Sequence, residues 1–161
     1  MEISKSHNGI ETAKGLIMSK WNTATMHAYL RQACVAGETY RYPVYCMIKN
    51  TSFWASRYDS QRSCYIALSD YRRLLFAEFT MLTGTPVRMG ALGFDDLVSA
   101  RVKKNIVGQY VFNLEFIING KKQKFTFQAA KKVYGTDLDE QEQNLMGLVE
   151  YFEKYGHNLR Y

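Results

Sequence analysis

Three cysteines, three histidines and the lack of any long apolar run set the first limits on this 161-residue chain. Cys34, Cys46 and Cys64 cannot all pair, and none stands in a CxxC or at zinc-finger spacing, so reduced structural thiols are expected, with no disulfide framework and no metal site. No stretch approaches the roughly 18 apolar residues of a spanning helix, and no apolar core follows Lys5. A cytoplasmic chain, or one peripheral at a membrane, is the expectation. The chain also lacks a G-x-S-x-G elbow, a Walker glycine loop and an H-E-x-x-H helix. His7, His27 and His157 are scattered, and only convergence in space with Cys34 would give a nucleophile and base. A non-enzymatic protein is expected, with no catalytic residues and no cofactor. Gly84, Gly90 and Gly93 have the spacing of no phosphate loop and read as bends between short strands. Internal repeats, low-complexity stretches and flexible linkers are absent too.

What is present describes a globular domain. Hydrophobic residues make up 47% and charged residues 22%, and the length buries a core without staples. Twelve Tyr and nine Phe favour strands. The formal net charge of +6 is unevenly placed: eight basic residues and only Glu115 as an acid lie between Arg101 and Lys132, whereas six acids and no base lie from Asp137 to Glu153.

The periodicity changes along the chain. Residues 1–36 read as a helical extension, most clearly over 25–36, where Met26, Tyr29, Leu30, Ala33 and Cys34 share a face and Gly37 offers a stop. A second, weaker helix is expected over 6–20, where Gly9 and Gly15 disfavour it. From Thr39 the period is two, through Tyr40, Tyr42, Val44, Cys46 and Ile48, and Pro43 implies an edge or a bulge. An exposed edge there would let another copy pair, so oligomeric state stays open. Cys64–Leu68 and Arg73–Phe79 form a hairpin around the turn-favouring Ser69 and Asp70.

Asn119-Gly120 is the strongest local signal, a two-residue type I′ turn. It fixes a register with Ile118 opposite Lys121, Leu114 opposite Phe125, Phe112 opposite Phe127, Glu115 opposite Lys124 and Asn113 opposite Thr126. After it, Thr136 or Asp137 is placed to cap a helix with an apolar stripe of Leu138, Leu145, Leu148 or Val149, Phe152 and Tyr155, ended by Gly156. The acids Asp137, Asp139, Glu140 and Glu142 then fall in its first turns, where the helix dipole favours them.

About seven strands followed by one helix suggest a known superfold, and two runs carry a resemblance. Ala67-Leu68-Ser69-Asp70-Tyr71-Arg72-Arg73-Leu74-Leu75-Phe76 and Phe94-Asp95-Asp96-Leu97-Val98-Ser99-Ala100-Arg101-Val102-Lys103-Lys104, with Gly108 and Tyr110 behind it, resemble bacterial pleckstrin-homology-like and GRAM-like domains. The resemblance covers 37–156 and implies an α+β, mainly β fold, a curved antiparallel sheet or partly open barrel closed by a C-terminal capping helix. Residues 37–161 would be that domain. Such domains resemble modules that bind phospholipid head groups or peptides.

Two candidate surfaces follow. The first hairpin loop, 49–63, holds Lys49, Phe53, Trp54, Arg57, Tyr58 and Arg62, but lacks the dense basic motif of head-group binders in that superfamily. Aromatics beside cations suit a membrane interface or a partner, while Phe53 and Trp54 equally suit a lid over the barrel's open end. The second is a basic patch of Lys103, Lys104, Lys121, Lys122 and Lys124, which suits phosphates or serves as a solvated face that protects strand edges. The functional expectation is a non-enzymatic binding or scaffolding module for a protein partner, met by the first hairpin loop and the N-terminal helices. Peripheral binding to anionic phospholipid head groups is the alternative. Nonspecific nucleic-acid binding or a small inhibitor protein is a further one, though no motif supports sequence-specific nucleic-acid reading.

Overall fold

The computed structural model describes residues 20–48, 62–80 and 83–158. Helix α1 (Thr23–Ala33) is followed by β1 (Tyr40–Ile48), β2 (Arg62–Ser69), β3 (Arg73–Phe79), β4 (Pro86–Gly93), a 3₁₀ turn (Phe94–Asp96), β5 (Leu97–Lys104), β6 (Tyr110–Ile118), β7 (Lys121–Ala129) and α2 (Gln141–Asn158). The seven strands form one antiparallel sheet in the order β4-β3-β2-β1-β7-β6-β5. The helix expected over 6–20 lies almost wholly outside the described residues.

The sheet buries both faces of its first half. Val44, Cys46, Ile66, Leu74, Phe112, Phe125 and Phe127 point inward with Leu145, Leu148 and Phe152 of α2. On the other side Tyr45, Tyr65, Leu75 and Phe79 pack under Met26 and Leu30 of α1. The N-terminal helix therefore lies on the sheet, its apolar stripe consumed by a second core. Asn22 caps it by accepting the Thr25 N–H at 2.8 Å. It ends at Ala33 rather than at Gly37, and the Glu38 carboxylate takes the Val35 N–H just beyond.

A bulge between Arg41 and Val44 interrupts β1, with Tyr42 at φ +56°. Pro43 thus marks a bulge, and β1 is no edge: it lies between β2 and β7, while β4 and β5 are the outer strands. The β1–β7 pairing is short, confined to Met47 opposite Gln128 and Ile48 opposite Phe127. Where the two strands part, Gln141 of α2 takes the place of a strand. Its Oε1 accepts the Tyr45 N–H at 3.0 Å, and its Nε2 donates to the carbonyls of Tyr45 and Ala130 at 2.9 and 3.1 Å.

The β6–β7 register matches every pairing read from the sequence, and both turn residues have positive φ, +53° at Asn119 and +76° at Gly120. The C-terminal helix differs at both ends. It starts at Gln141, because Thr136 donates its hydroxyl to the Val133 carbonyl, Asp137 bridges to the backbone of Trp21 and Thr23, and Glu140 has φ +59°. Leu138 consequently joins the core beneath α1, and of the four acids only Glu142 lies in the first turn. Gly156 does not end the helix; it lets α2 touch β5, since a Cβ there would come within 2.2 Å of the Ala100 carbonyl oxygen. Gly84 has φ +67° between β3 and β4, but Gly90 and Gly93 lie within β4 itself, Gly90 beneath the Phe76 ring.

Candidate functional site

The two halves of the sheet differ in what covers their outer faces. Helix α1 lies over the β1–β4 half, whereas among the described residues the outer face of β5–β7 carries no helix. The alternation of those strands turns Ala100, Phe112, Leu114, Phe125 and Phe127 inward and leaves Ser99, Arg101, Lys103, Asn113, Glu115, Lys124 and Thr126 outward. Cross-strand pairing sets these in rows: Ser99 with Glu115 and Lys124, then Arg101 with Asn113 and Thr126. The Thr126 hydroxyl donates to the Asn113 side-chain oxygen at 3.0 Å. A depression of about 610 Å³ lies at the β5 edge of this face, lined by Arg101, Lys103, Lys124 and Glu115 and reaching around β5 to Phe152 and Glu153 of α2. Glu115 is the single acid on the three strands, and Lys122 shares it at 3.6 Å.

The five lysines expected to form one patch are divided by this geometry. Lys103, Lys122 and Lys124 belong to the outer face, joined by Arg101. Lys104 and Lys121 have the opposite parity; the Lys104 ammonium lies 5.5 Å from the centre of the Tyr110 ring. Lys103 and Lys104 also stand at one end of the strands and Lys121 and Lys122 at the other, about 25 Å away along β6 at 3.3 Å per residue. Lys131 and Lys132 leave β7 at the Lys104 end, because Tyr110 pairs with both Lys104 and Ala129. Lys131 is shared with Glu142 at 3.7 Å.

That same end holds the β5–β6 turn, which none of the sequence patterns singled out. Asn105 organises it: its side-chain oxygen accepts the N–H groups of Val107 and Gln109 at 3.1 and 2.9 Å, and its own N–H donates to the Gln109 carbonyl at 2.9 Å. Gly108, at φ +85°, donates to the Asn105 carbonyl at 3.1 Å. At the tip, Ile106 is 104% exposed and Val107 77% exposed. The detectable signal was an Ile-Val pair between Asn105 and Gly108, where a turn calls for polar residues.

In the first hairpin loop, Lys49, Phe53, Trp54, Arg57 and Tyr58 lie outside the described residues. Arg62 is the first residue of β2 and pairs at 2.7 Å with the fully buried Glu78 carboxylate. Its charge is thereby engaged in the fold.

His27 and Cys34 line one depression beside Tyr40. The His27 Nδ1 lies 2.6 Å from the Tyr40 hydroxyl, and burial, reinforced by Arg31, lowers the imidazole's pKa. Burial and the Glu38 charge raise the Cys34 thiol, opposite to what an activated nucleophile needs. His7 lies outside the described residues and His157 belongs to α2. Cys46 and Cys64 face each other across β1 and β2 in the inner core, where burial pushes the Cys64 thiol well up. Among the described residues, no group of three His, Cys, Asp or Glu side chains is placed to hold a metal ion, and no helix is long and apolar enough to cross a membrane.

A solved structure with this arrangement is the hSac2 domain from the human phosphoinositide phosphatase Sac2, with a TM-score of 0.52 over 82% of this chain and 80% of that one. The shared fold is mainly β, an antiparallel sheet with a C-terminal helix. At 11% sequence identity the likeness concerns the fold alone. No family model matches the chain, and no curated protein does.

Proposed function

We propose that this chain is a non-enzymatic recognition module, resident in the cytoplasm, that attaches to anionic phospholipid surfaces through the outer face of β5–β7. The observation supporting it is that face, uncovered among the described residues, where Arg101, Lys103 and Lys124 line one depression with Glu115 and Glu153, and Glu115 is the only acid on the three strands. Each cation brought to an anionic leaflet contributes about 1 kcal/mol, so three or four give reversible attachment. Kinship with bacterial GRAM-like domains, carried by 67–76 and 94–104, is part of the same proposal.

The test is charge reversal on the face. Arg101→Glu with Lys103→Glu should reduce binding to phosphatidylserine-containing vesicles by about 100-fold, as four charge units change at about 1 kcal/mol each with partial screening. Unchanged binding of that variant contradicts the assignment of the face. Binding of the unaltered chain to duplex DNA but not to vesicles contradicts the choice of lipid.

A protein partner has one observation in its favour. Among the described residues β4 is an outer strand of the sheet, with Val87 41% and Met89 39% exposed along it, and an outer strand is where an extended peptide can add. The N-terminal helix is less suited to that role, because its apolar stripe is already buried against the sheet.

A further inference from the structure

We infer that the Ile106–Val107 tip of the β5–β6 hairpin is a membrane-inserting element that enters the acyl-chain boundary of an anionic bilayer while the neighbouring lysines meet the head groups. The inference rests on the lipid reading above and adds an apolar mode of docking to it. Isolated exposed aliphatic residues are ordinary on protein surfaces. Val98 and Met146, for example, are 45% and 37% exposed. Ile106 and Val107 differ in being adjacent, at the apex of a turn, and far more exposed, at 104% and 77%.

Their setting fits a lipid interface in two independent respects. The first is hydrogen bonding. A backbone entering hydrocarbon must bring its polar groups already satisfied. Asn105 supplies part of this, since the amides of Val107, Gly108 and Gln109 donate to its side chain or backbone and its own amide donates to Gln109, which leaves the Ile106 amide and the Ile106 and Val107 carbonyls to the polar head-group layer. The Gln109 side chain is held in turn by Asn105 and by Gln128 of β7. The second is charge. Lys103 and Lys104 precede the turn directly, Lys132 leaves the same end of the sheet, and no acid occurs from Leu97 through Gln109. An apolar apex with a cationic collar complements an anionic leaflet, apolar below and negative at its surface. A nucleic acid would match the collar but offers the apex nothing.

The experiment uses the full chain and vesicles of phosphatidylcholine with phosphatidylserine. Ile106→Ser with Val107→Ser leaves the charge unchanged, and both positions are exposed, so circular dichroism should match the unaltered chain. The expected result is about a tenfold or greater loss of vesicle partitioning, persisting at high salt where charge attraction is screened. In a separate variant, Ile106→Trp, fluorescence quenching by lipids brominated on the acyl chains should exceed that of the unaltered chain, which carries Trp21 and Trp54 as background. Binding by the double-serine variant equal to that of the unaltered chain, or no added quenching, overturns insertion and leaves the electrostatic reading in place. Failure of the unaltered chain to bind anionic vesicles at low salt overturns both.

Discussion

Gln141 holds together the place where the sheet comes apart. Its amide completes the backbone bonding of Tyr45 on the side that β7 has left, so Gln141→Ala strips partners from a buried N–H and a buried C=O. Leaving such groups unsatisfied costs about 1–3 kcal/mol each. Urea unfolding should therefore register a loss of roughly 2–4 kcal/mol, unusual for a polar side chain near a helix start. Glu38 has a comparable task beside α1, where its buried carboxylate binds the half-buried Arg73, with Ser69 and the Val35 amide as further donors. The Arg73 hydrogen bond, against the opposing effect of burial, holds its carboxyl at about 2 rather than the ordinary 4.5. A carboxyl lowered on folding contributes stability above its unfolded pKa and loses it as pH falls towards the folded value. Thermal stability should decline between about pH 4.5 and 2 through this group, with about 2–3 kcal/mol at stake. Glu38→Gln should be less stable at neutral pH and should flatten that decline; an identical acid profile in the variant contradicts the role.

At the scale of elements, α1 belongs to the fold. Leu30 is fully buried over the outer face of the sheet, and Leu30→Ala should cost about 2–5 kcal/mol in chemical denaturation. Deleting residues 1–36 would bare Tyr45, Tyr65, Leu75 and Phe79, and the shortened chain should aggregate or lose its cooperative unfolding transition. That deletion therefore tests folding, and cannot serve as a clean test of a partner surface. The helix itself was legible from the spacing of Met26, Leu30 and Ala33, but its location was not. The signal lay in β2 and β3: the runs Cys64–Leu68 and Leu74–Ala77 are apolar without alternation, the pattern of strands buried on both faces. The β6–β7 register was legible in full because a two-residue turn leaves the chain no choice of pairing. The start of α2 was not, because Thr136 turns its hydroxyl back to the Val133 carbonyl and the Asp137 backbone is bound to Trp21 and Thr23, more than a hundred residues away, a contact that leaves no local trace. The basic site was half legible. Parity assigned Lys124 to the polar face opposite the core, but the place of Arg101 and Lys103 beside it depended on the bulge in β5 between Leu97 and Ser99.

For the whole molecule, the separation of charge along the chain becomes a separation in space. The cations of 101–132 stand on one half of the sheet, and that half presents its outer face without a helix among the described residues. Helix α1 and its aromatic bed, with Trp21 5.4 Å from Tyr45 and from Phe79 between ring centres, occupy the other half. The fold thus commits one outer face to stability and leaves the second uncovered among the described residues. The most direct measurement is the fraction of full-length chain that floats with phosphatidylserine-containing vesicles, against pure phosphatidylcholine vesicles, from low to high salt. The expected result is preference for the anionic vesicles at low salt and a steep decline in bound fraction as salt rises. Equal binding to both vesicle types, or none to either at low salt, contradicts an anionic lipid surface as the ligand of the basic face.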